Sequence, residues 1–153
     1  MRVRKLNHSV YQLQYHIVWG TKYRMKFLVP AVKKELIHII YEIIKKYPTL
    51  HVFAVNTDKD HIHLQLEAPP SITIASVVQK LKAISSFYLR KRFKFIRERY
   101  LEKEGIWSVG YFVSSIGLNE AQINRYIAWQ GRQEVPQTIT AIPQSRQPRL
   151  ELS

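Results

Sequence analysis

The chain has no cysteine. That excludes disulfides, thiolate metal sites and cysteine nucleophiles together, and it accords with a cytoplasmic protein. No apolar run approaches the ~20 residues needed to cross a bilayer. The opening stretch MRVRKLNHSVYQLQ is basic but has no apolar segment of the signal-peptide kind, so neither a membrane span nor a secretory leader is expected. No internal repeat is evident. Acidic residues are scarce: 11 Asp and Glu stand against 24 Lys and Arg, a formal net charge of +13. An excess of this size attracts polyanions, and nucleic acid releases its condensed counterions on binding. The amphipathic Lys/Arg helix ending of a membrane-surface protein is also missing, which favours nucleic acid over acidic lipid.

What is present is enough for one domain with its own core. The 153 residues are 46% hydrophobic and include 3 Trp, 9 Tyr and 6 Phe. Residues Tyr11 to Trp19 read as a strand closed by Gly20 and followed by a basic loop from Thr21 to Leu28. Pro30 suits a first helical turn, and Val32, Leu36, Ile39, Ile40, Ile43 and Tyr47 recur at helical spacing until Pro48 stops the run. Leu50 to Asn56 and His61 to Ala68 form a strand pair joined through Thr57, Asp58, Lys59 and Asp60. After Pro69 and Pro70, Ser71 or Thr73 caps a second helix with the stripe Ile74, Val77, Val78, Leu81, Ile84, Ser85 and Tyr88. Its charged continuation runs from Leu89 to Glu104. Trp107 to Ser114 reads as a fourth strand, Gly117 as a turn, and Asn119 with Gln122 as the start of a last helix ending at Gly131.

The order β-α-β-β-α-β-α predicts an α+β fold. Its first six elements are the ferredoxin-like, RRM-like split βαββαβ arrangement, an antiparallel sheet with helices on one face and the other face free. Residues 1–131 form the single domain, and 132–153, rich in Gln, Pro, Thr and Ser, read as an extended tail.

Strand alternation sends Ile62, Leu64, Leu66 and Ala68 toward the helices and places His61, His63, Gln65 and Glu67 on the open face. Two imidazoles at i and i+2 are close enough to share a metal ion, although solvated or hydrogen-bonded histidines explain the spacing as well. His16 lacks alternation partners that suggest a site, and Asp58 and Asp60 suit the turn itself. On the last helix Tyr126 and Gln130 are one turn apart. A Tyr hydroxyl there could attack a phosphodiester while the Gln carbonyl oxygen shares the histidines' metal. Core packing is the alternative, since Ile123 and Ile127 lie on the same broad side.

Five stretches together resemble the single-tyrosine HUH transposases of the insertion sequence 200/605 family, small elements that move as single strands with hairpin ends. They are YHIVWGTKYR at 15–24, DHIH at 60–63, VQKLKAISS at 78–86, WSVGYFVSSIG at 107–117 and RYIAWQ at 125–130, and they occur in the family's order. Lys59 stands before the second stretch where many relatives carry other residues. The resemblance implies that His61 and His63 are the metal pair, Gln130 the third ligand and Tyr126 the nucleophile. It also implies a homodimer in which the tyrosine helix of one subunit can complete the other's site. A Mg²⁺ or Mn²⁺ cofactor, a 5′-phosphotyrosine intermediate, a released 3′-OH and no nucleotide cofactor follow from it too.

The resemblance also implies single-stranded DNA with hairpins as the partner, and two clusters of cations could serve it. Lys22, Arg24 and Lys26 are interleaved with Tyr23 and Phe27, and Lys80, Lys82, Arg90, Lys91, Arg92 and Lys94 follow the second helix. Basic groups would hold phosphates and exposed aromatics would stack on unpaired bases. A ferredoxin-like binding module without chemistry would instead be expected to carry aromatics on its central strands.

Overall fold

The computed structural model describes residues 4–6, 9–11, 13–115 and 120–133. A small antiparallel ribbon comes first, β1 (Arg4–Leu6) paired with β2 (Ser9–Tyr11). Tyr11 therefore belongs to this ribbon and not to the first strand of the main sheet. That strand is β3 (Gln14–Gly20), followed by α1 (Pro30–Ile44), β4 (His51–Thr57), β5 (His61–Glu67), α2 (Ile74–Arg92), the short α3 (Lys94–Arg97), β6 (Phe112–Ser114) and α4 (Glu120–Gln133).

The sheet order is β4-β5-β3-β6 with every neighbour antiparallel. This is the order of a ferredoxin-like split βαββαβ unit, as the sequence pattern predicts. Pro30 opens α1, where its missing N–H has no partner to lose. Thr73 Oγ1 accepts from Ser76 N at 3.3 Å and so caps α2. The buried stripe of α1 is Val32, Leu36, Ile39, Ile40, Ile43 and Ile44. On α2 the stripe ends at Leu89, which is fully buried, whereas Tyr88 is half exposed.

Two expectations are corrected in the segment after α2. The helix stops at Phe93, whose extended backbone breaks it before α3. Arg97 Nη1 then donates to Arg90 O and Lys91 O at 3.0 and 3.2 Å, taking carbonyls that the helix end leaves unpaired. The fourth strand is also shorter than Trp107 to Ser114, because Trp107 makes only an isolated bridge to Thr21. Gly117 and Asn119 lie outside the described residues, as does the chain after Gln133.

Ile17, Trp19, Ile62, Leu64 and Leu66 are fully buried against α1 and α2. Glu67 is fully buried as well, so it does not line an open surface as the alternation predicts. Leu64→Ala is expected to cost about 2–5 kcal/mol in a urea titration, while Lys34→Ala, on the exposed side of α1, should stay within about 0.5 kcal/mol. Equal effects would place Leu64 outside the core.

Candidate active site

The strand register sets the site. Gly20 pairs with His61, Val18 with His63, and His16 with Gln65. These six positions share the sheet face opposite α1 and α2. The face is not free along its whole width. Val18 is buried there under Tyr126 and Ile127 of α4, with Phe112 and Trp129 packed around them. The helix that carries the tyrosine thus rests on its own chain's sheet.

His61 Nδ1 lies 3.0 Å from Asp60 Oδ1. Asp60 Oδ2 accepts from Arg24 Nη2 at 2.8 Å and Nε at 3.1 Å. The His61 ring first, then the Arg24 guanidinium, hold the Asp60 carboxyl down at about 2, against burial that pushes it up. With Nδ1–H donated to the ionised carboxylate, the lone pair of His61 is on Nε2, the tautomer of a metal-ligating imidazole with a carboxylate behind it. The turn residue Asp60 therefore does more than shape the turn. Asp58 has the local role expected of it, its Oδ1 accepting from Lys59 N at 2.8 Å.

His63 Nε2 lies 3.3 Å from His16 Nδ1, and the two rings are tilted by 39°. The sequence pattern sets His16 aside, yet the structure brings it beside the pair. The missed signal was its cross-strand register, which depends on the pairing of β3 with β5. Burial holds both imidazoles below the ordinary value of 6.5, and for His63 the neighbouring His16 and His61 act in the same direction. Neutral rings are the form that binds metal. The unfolded chain takes up these protons near 6.5 and the folded chain only further down. Stability should accordingly be full above pH 6.5 and decline as the pH falls from there toward the folded values. Urea midpoints measured on both sides of that pH would show the decline, and His16→Gln should flatten it. A flat profile for the unaltered protein would mean that the rings are solvated.

Tyr126 and Gln130 are each 3% exposed. The Tyr126 ring lies 5.6 Å from Phe112 and stacks on Trp129 at 6.4 Å. Gln130 Nε2 donates to Val109 O, which turns Oε1 the other way. That oxygen is buried and accepts no hydrogen bond. A Cβ added at Gly20 would stand 3.5 Å from Asp60 O, 3.6 Å from Ser108 Oγ and 3.7 Å from Gln130 Oε1, so three oxygens ring a small space above the Gly20–His61 pair. Among the described residues no group of three or more His, Asp and Glu side chains gathers as a metal site. The donor set available is the two imidazoles and the Gln130 amide oxygen. An amide oxygen without a hydrogen-bond partner and two imidazoles are together a donor set that would suit a divalent cation, with Mn²⁺ suiting the nitrogens better than Mg²⁺.

The loop under Tyr126 is fixed from two sides. Lys82 Nζ donates to Ser108 O at 2.7 Å and to Gly110 O, while Gln130 holds Val109 O between them. Gly110 has φ 89°, and a Cβ there would stand 3.8 Å from Tyr126 Oη. Glycine is needed at that backbone angle.

A family profile described as "Transposase IS200 like" matches residues 9–130. The chain belongs to the IS200-like transposase family. It is 31% identical to the transposase for insertion sequence element IS200 of Salmonella typhimurium over 127 residues, 83% of this chain and 82% of that one. It is 32% identical to the ISDra2 transposase TnpA of Deinococcus radiodurans over 135 residues, 88% of this chain and 95% of that one. A crystal structure of a candidate transposase from Deinococcus radiodurans superposes with a TM-score of 0.73 at 32% identity, covering 83% of this chain and 97% of that one. A REP-associated tyrosine transposase bound to a REP hairpin shares the fold, with a TM-score of 0.51 at 14% identity, covering 86% of this chain and 75% of that one. As a transposase, this IS200-like chain is a DNA-cleaving and strand-joining enzyme.

The cations of the transposase divide into two groups. Lys26, Lys80, Lys91, Arg92 and Lys94 are exposed. Lys80 Nζ sits over the Tyr47 ring at 5.4 Å, Arg92 lies 3.5 Å from Glu35, and Lys94 lies 3.6 Å from Glu98. Lys22, Arg24, Lys82 and Arg90 are engaged within the protein. Lys22 Nζ lies 3.7 Å from Glu104, and the Arg90 guanidinium donates to the carbonyls of Leu101, Glu102 and Glu104. The aromatics expected to stack on bases are engaged too. Phe27 is buried against Tyr100 and Trp107, while Tyr23 stacks on Tyr100 and donates its hydroxyl to Glu104. Among the described residues no helix is long and apolar enough to cross a membrane.

Proposed function

We propose that this IS200-like transposase cleaves and rejoins single-stranded DNA at hairpin-bearing ends of an insertion sequence, with Tyr126 as nucleophile and a divalent ion held by His61, His63 and Gln130. The observation that carries the reading is the buried Gln130 Oε1. It accepts no hydrogen bond, sits over the strand pair that includes His61, and lies one helical turn from Tyr126. A buried polar atom without a partner costs free energy, so its persistence calls for an explanation. The fold relative whose structure holds a REP hairpin makes a hairpin the substrate to try first.

A phenol with a pKa of about 10 is a weak nucleophile at neutral pH. When bound, the divalent ion supplies Lewis-acid polarisation of the scissile phosphate and holds it in place. The chain's own part is to set Tyr126 between Phe112 and Trp129, so that the hydroxyl stands at the Gly110 loop with little freedom. Tyr126 Oη forms a bond to the scissile phosphorus as the bond to the 3′ oxygen breaks. The phenol proton leaves to solvent and the departing oxygen gains one, giving a 5′-phosphotyrosine and a free 3′-OH. Attack by another 3′-OH reverses the step and rejoins the strand, so no nucleotide energy source is needed. The exposed lysines along α2 and α3 are the phosphate contacts of this reading, and a homodimer is its expected assembly.

The test is incubation with an end-labelled single-stranded hairpin carrying the sequence that flanks the gene, with Mn²⁺ or with EDTA, followed by a denaturing gel. A metal-dependent shifted band that vanishes in Tyr126→Phe supports the reading. Tight hairpin binding with no band in either protein would leave a binding module.

A further inference from the structure

Tyr23 and Arg24 stand side by side in left-handed backbone, at φ 56° and 54°. Residues other than glycine adopt it at a cost, and two in succession persist only where their surroundings hold them. Here they are held firmly. Arg24 N donates to Thr21 O at 3.0 Å, Thr21 Oγ1 to Met25 O at 2.8 Å, and Tyr100 Oη to Lys22 O at 2.8 Å. The result of this turn is the place it gives one guanidinium, between the β4–β5 connection and the tyrosine helix.

Arg24 spends its donors on two elements. Nε and Nη2 both reach Asp60 Oδ2, which leaves Oδ1 for His61 Nδ1. Nη1 donates to Ile127 O at 3.0 Å, the backbone carbonyl next to Tyr126. A continuous chain therefore runs from the helix carrying the tyrosine, through Arg24 and Asp60, to the His61 ring. The planar fork is what allows it: a lysine ammonium in the same place could serve one end but not hold both in fixed directions.

We infer that Arg24 is a positioning residue that ties the seating of α4 to the orientation of His61, and that it is not a phosphate contact. The inference rests on the proposed reading, in which Tyr126 attacks and His61 holds the metal. With Arg24 in place, the helix sits at one height on the sheet and the His61 lone pair points one way. Without it, each is set independently.

Arg24→Gln and the conservative Arg24→Lys, made in the full chain and compared with the unaltered protein by thermal melting, test this. Three readouts separate the possibilities. Hairpin affinity measured in EDTA across a salt series should change less than twofold, with the salt slope unchanged. Covalent adduct formation at saturating hairpin should slow by roughly 10–100-fold and the Mn²⁺ half-saturation should rise by a similar factor, the range for loss of a partner behind a metal ligand. Imidazole ¹⁵N spectra should show His61 losing its single Nδ1–H tautomer, and α4 amides should exchange faster. Arg24→Lys should be impaired nearly as much as Arg24→Gln.

A weaker hairpin complex whose salt slope drops by about one would make Arg24 a phosphate contact and overturn the inference. Unchanged adduct rate, Mn²⁺ response, tautomer and exchange would overturn it as well. Failure of the underlying reading looks different: the unaltered protein would then form no adduct, while the ¹⁵N and exchange readouts would still report whether Arg24 joins the two elements.

Discussion

Tyr126→Phe is expected to abolish the covalent adduct and to lower cleavage on the order of 10⁴-fold or more, the scale on which deleting a nucleophile acts. The same change should leave the fold and the hairpin complex almost as they are. The ring remains between Phe112 and Trp129, and loss of one hydroxyl should cost about 1 kcal/mol. That separation of effects is the reason to prefer Phe over Ala, which would also empty the small cluster with Val18 and Ile127. The competing nucleophile nearby is Tyr111, half-buried at the end of the same loop. Burial pushes its phenol above the usual value of 10.0, which makes it harder to ionise. Adduct surviving in Tyr126→Phe and vanishing in Tyr111→Phe would nonetheless move the chemistry there.

His63→Ala should remove the metal response. Cleavage at saturating hairpin is expected to drop about 10²–10³-fold, comparable to losing a principal electrostatic contributor in other active sites, and added Mn²⁺ should no longer restore it. His16→Gln makes the informative comparison, because the two rings touch. If His16 only packs against the ligand, its substitution should raise the Mn²⁺ requirement while leaving the rate at saturating metal nearly intact. A His63→Ala enzyme with an unaltered Mn²⁺ curve would remove His63 from the site and leave His16 and His61 as the imidazoles to examine.

Much of this was legible in the residues. The order of elements, the stripe on α1, the Thr73 cap and the alternation of Ile62, Leu64 and Leu66 all depend on local spacing, and local spacing is what a chain displays directly. What could not be read depends on pairing between distant segments. His16 acquires its neighbour only through the register of β3 against β5. Glu67 looks like the next open-face residue after Gln65, yet it is fully buried, with Gln14 of β3 and His51 of β4 as its register partners. The surroundings of the cations depend on distant segments in the same way. Charge alone marks a surface, but whether Lys82 or Arg90 faces a phosphate or a carbonyl depends on where the loops at 101–110 return. Phe27 likewise sits in a basic loop and turns inward onto Tyr100 and Trp107.

The position of α4 has a consequence for synthesis. The main core draws on β3, α1, β4, β5, α2, α3 and the segment through β6, and all of these leave the ribosome before Tyr126 does. Domains fold as they emerge, N-terminal parts first. A nascent chain without α4 can therefore bury its core and form the strand pair that holds both histidines while lacking the nucleophile of the proposed reading. Neither Tyr126 nor Gln130 is present until the helix has been made and has closed over Val18. On the proposed reading, the order of translation thus keeps the growing transposase from cutting DNA, its own gene included, until α4 has been made.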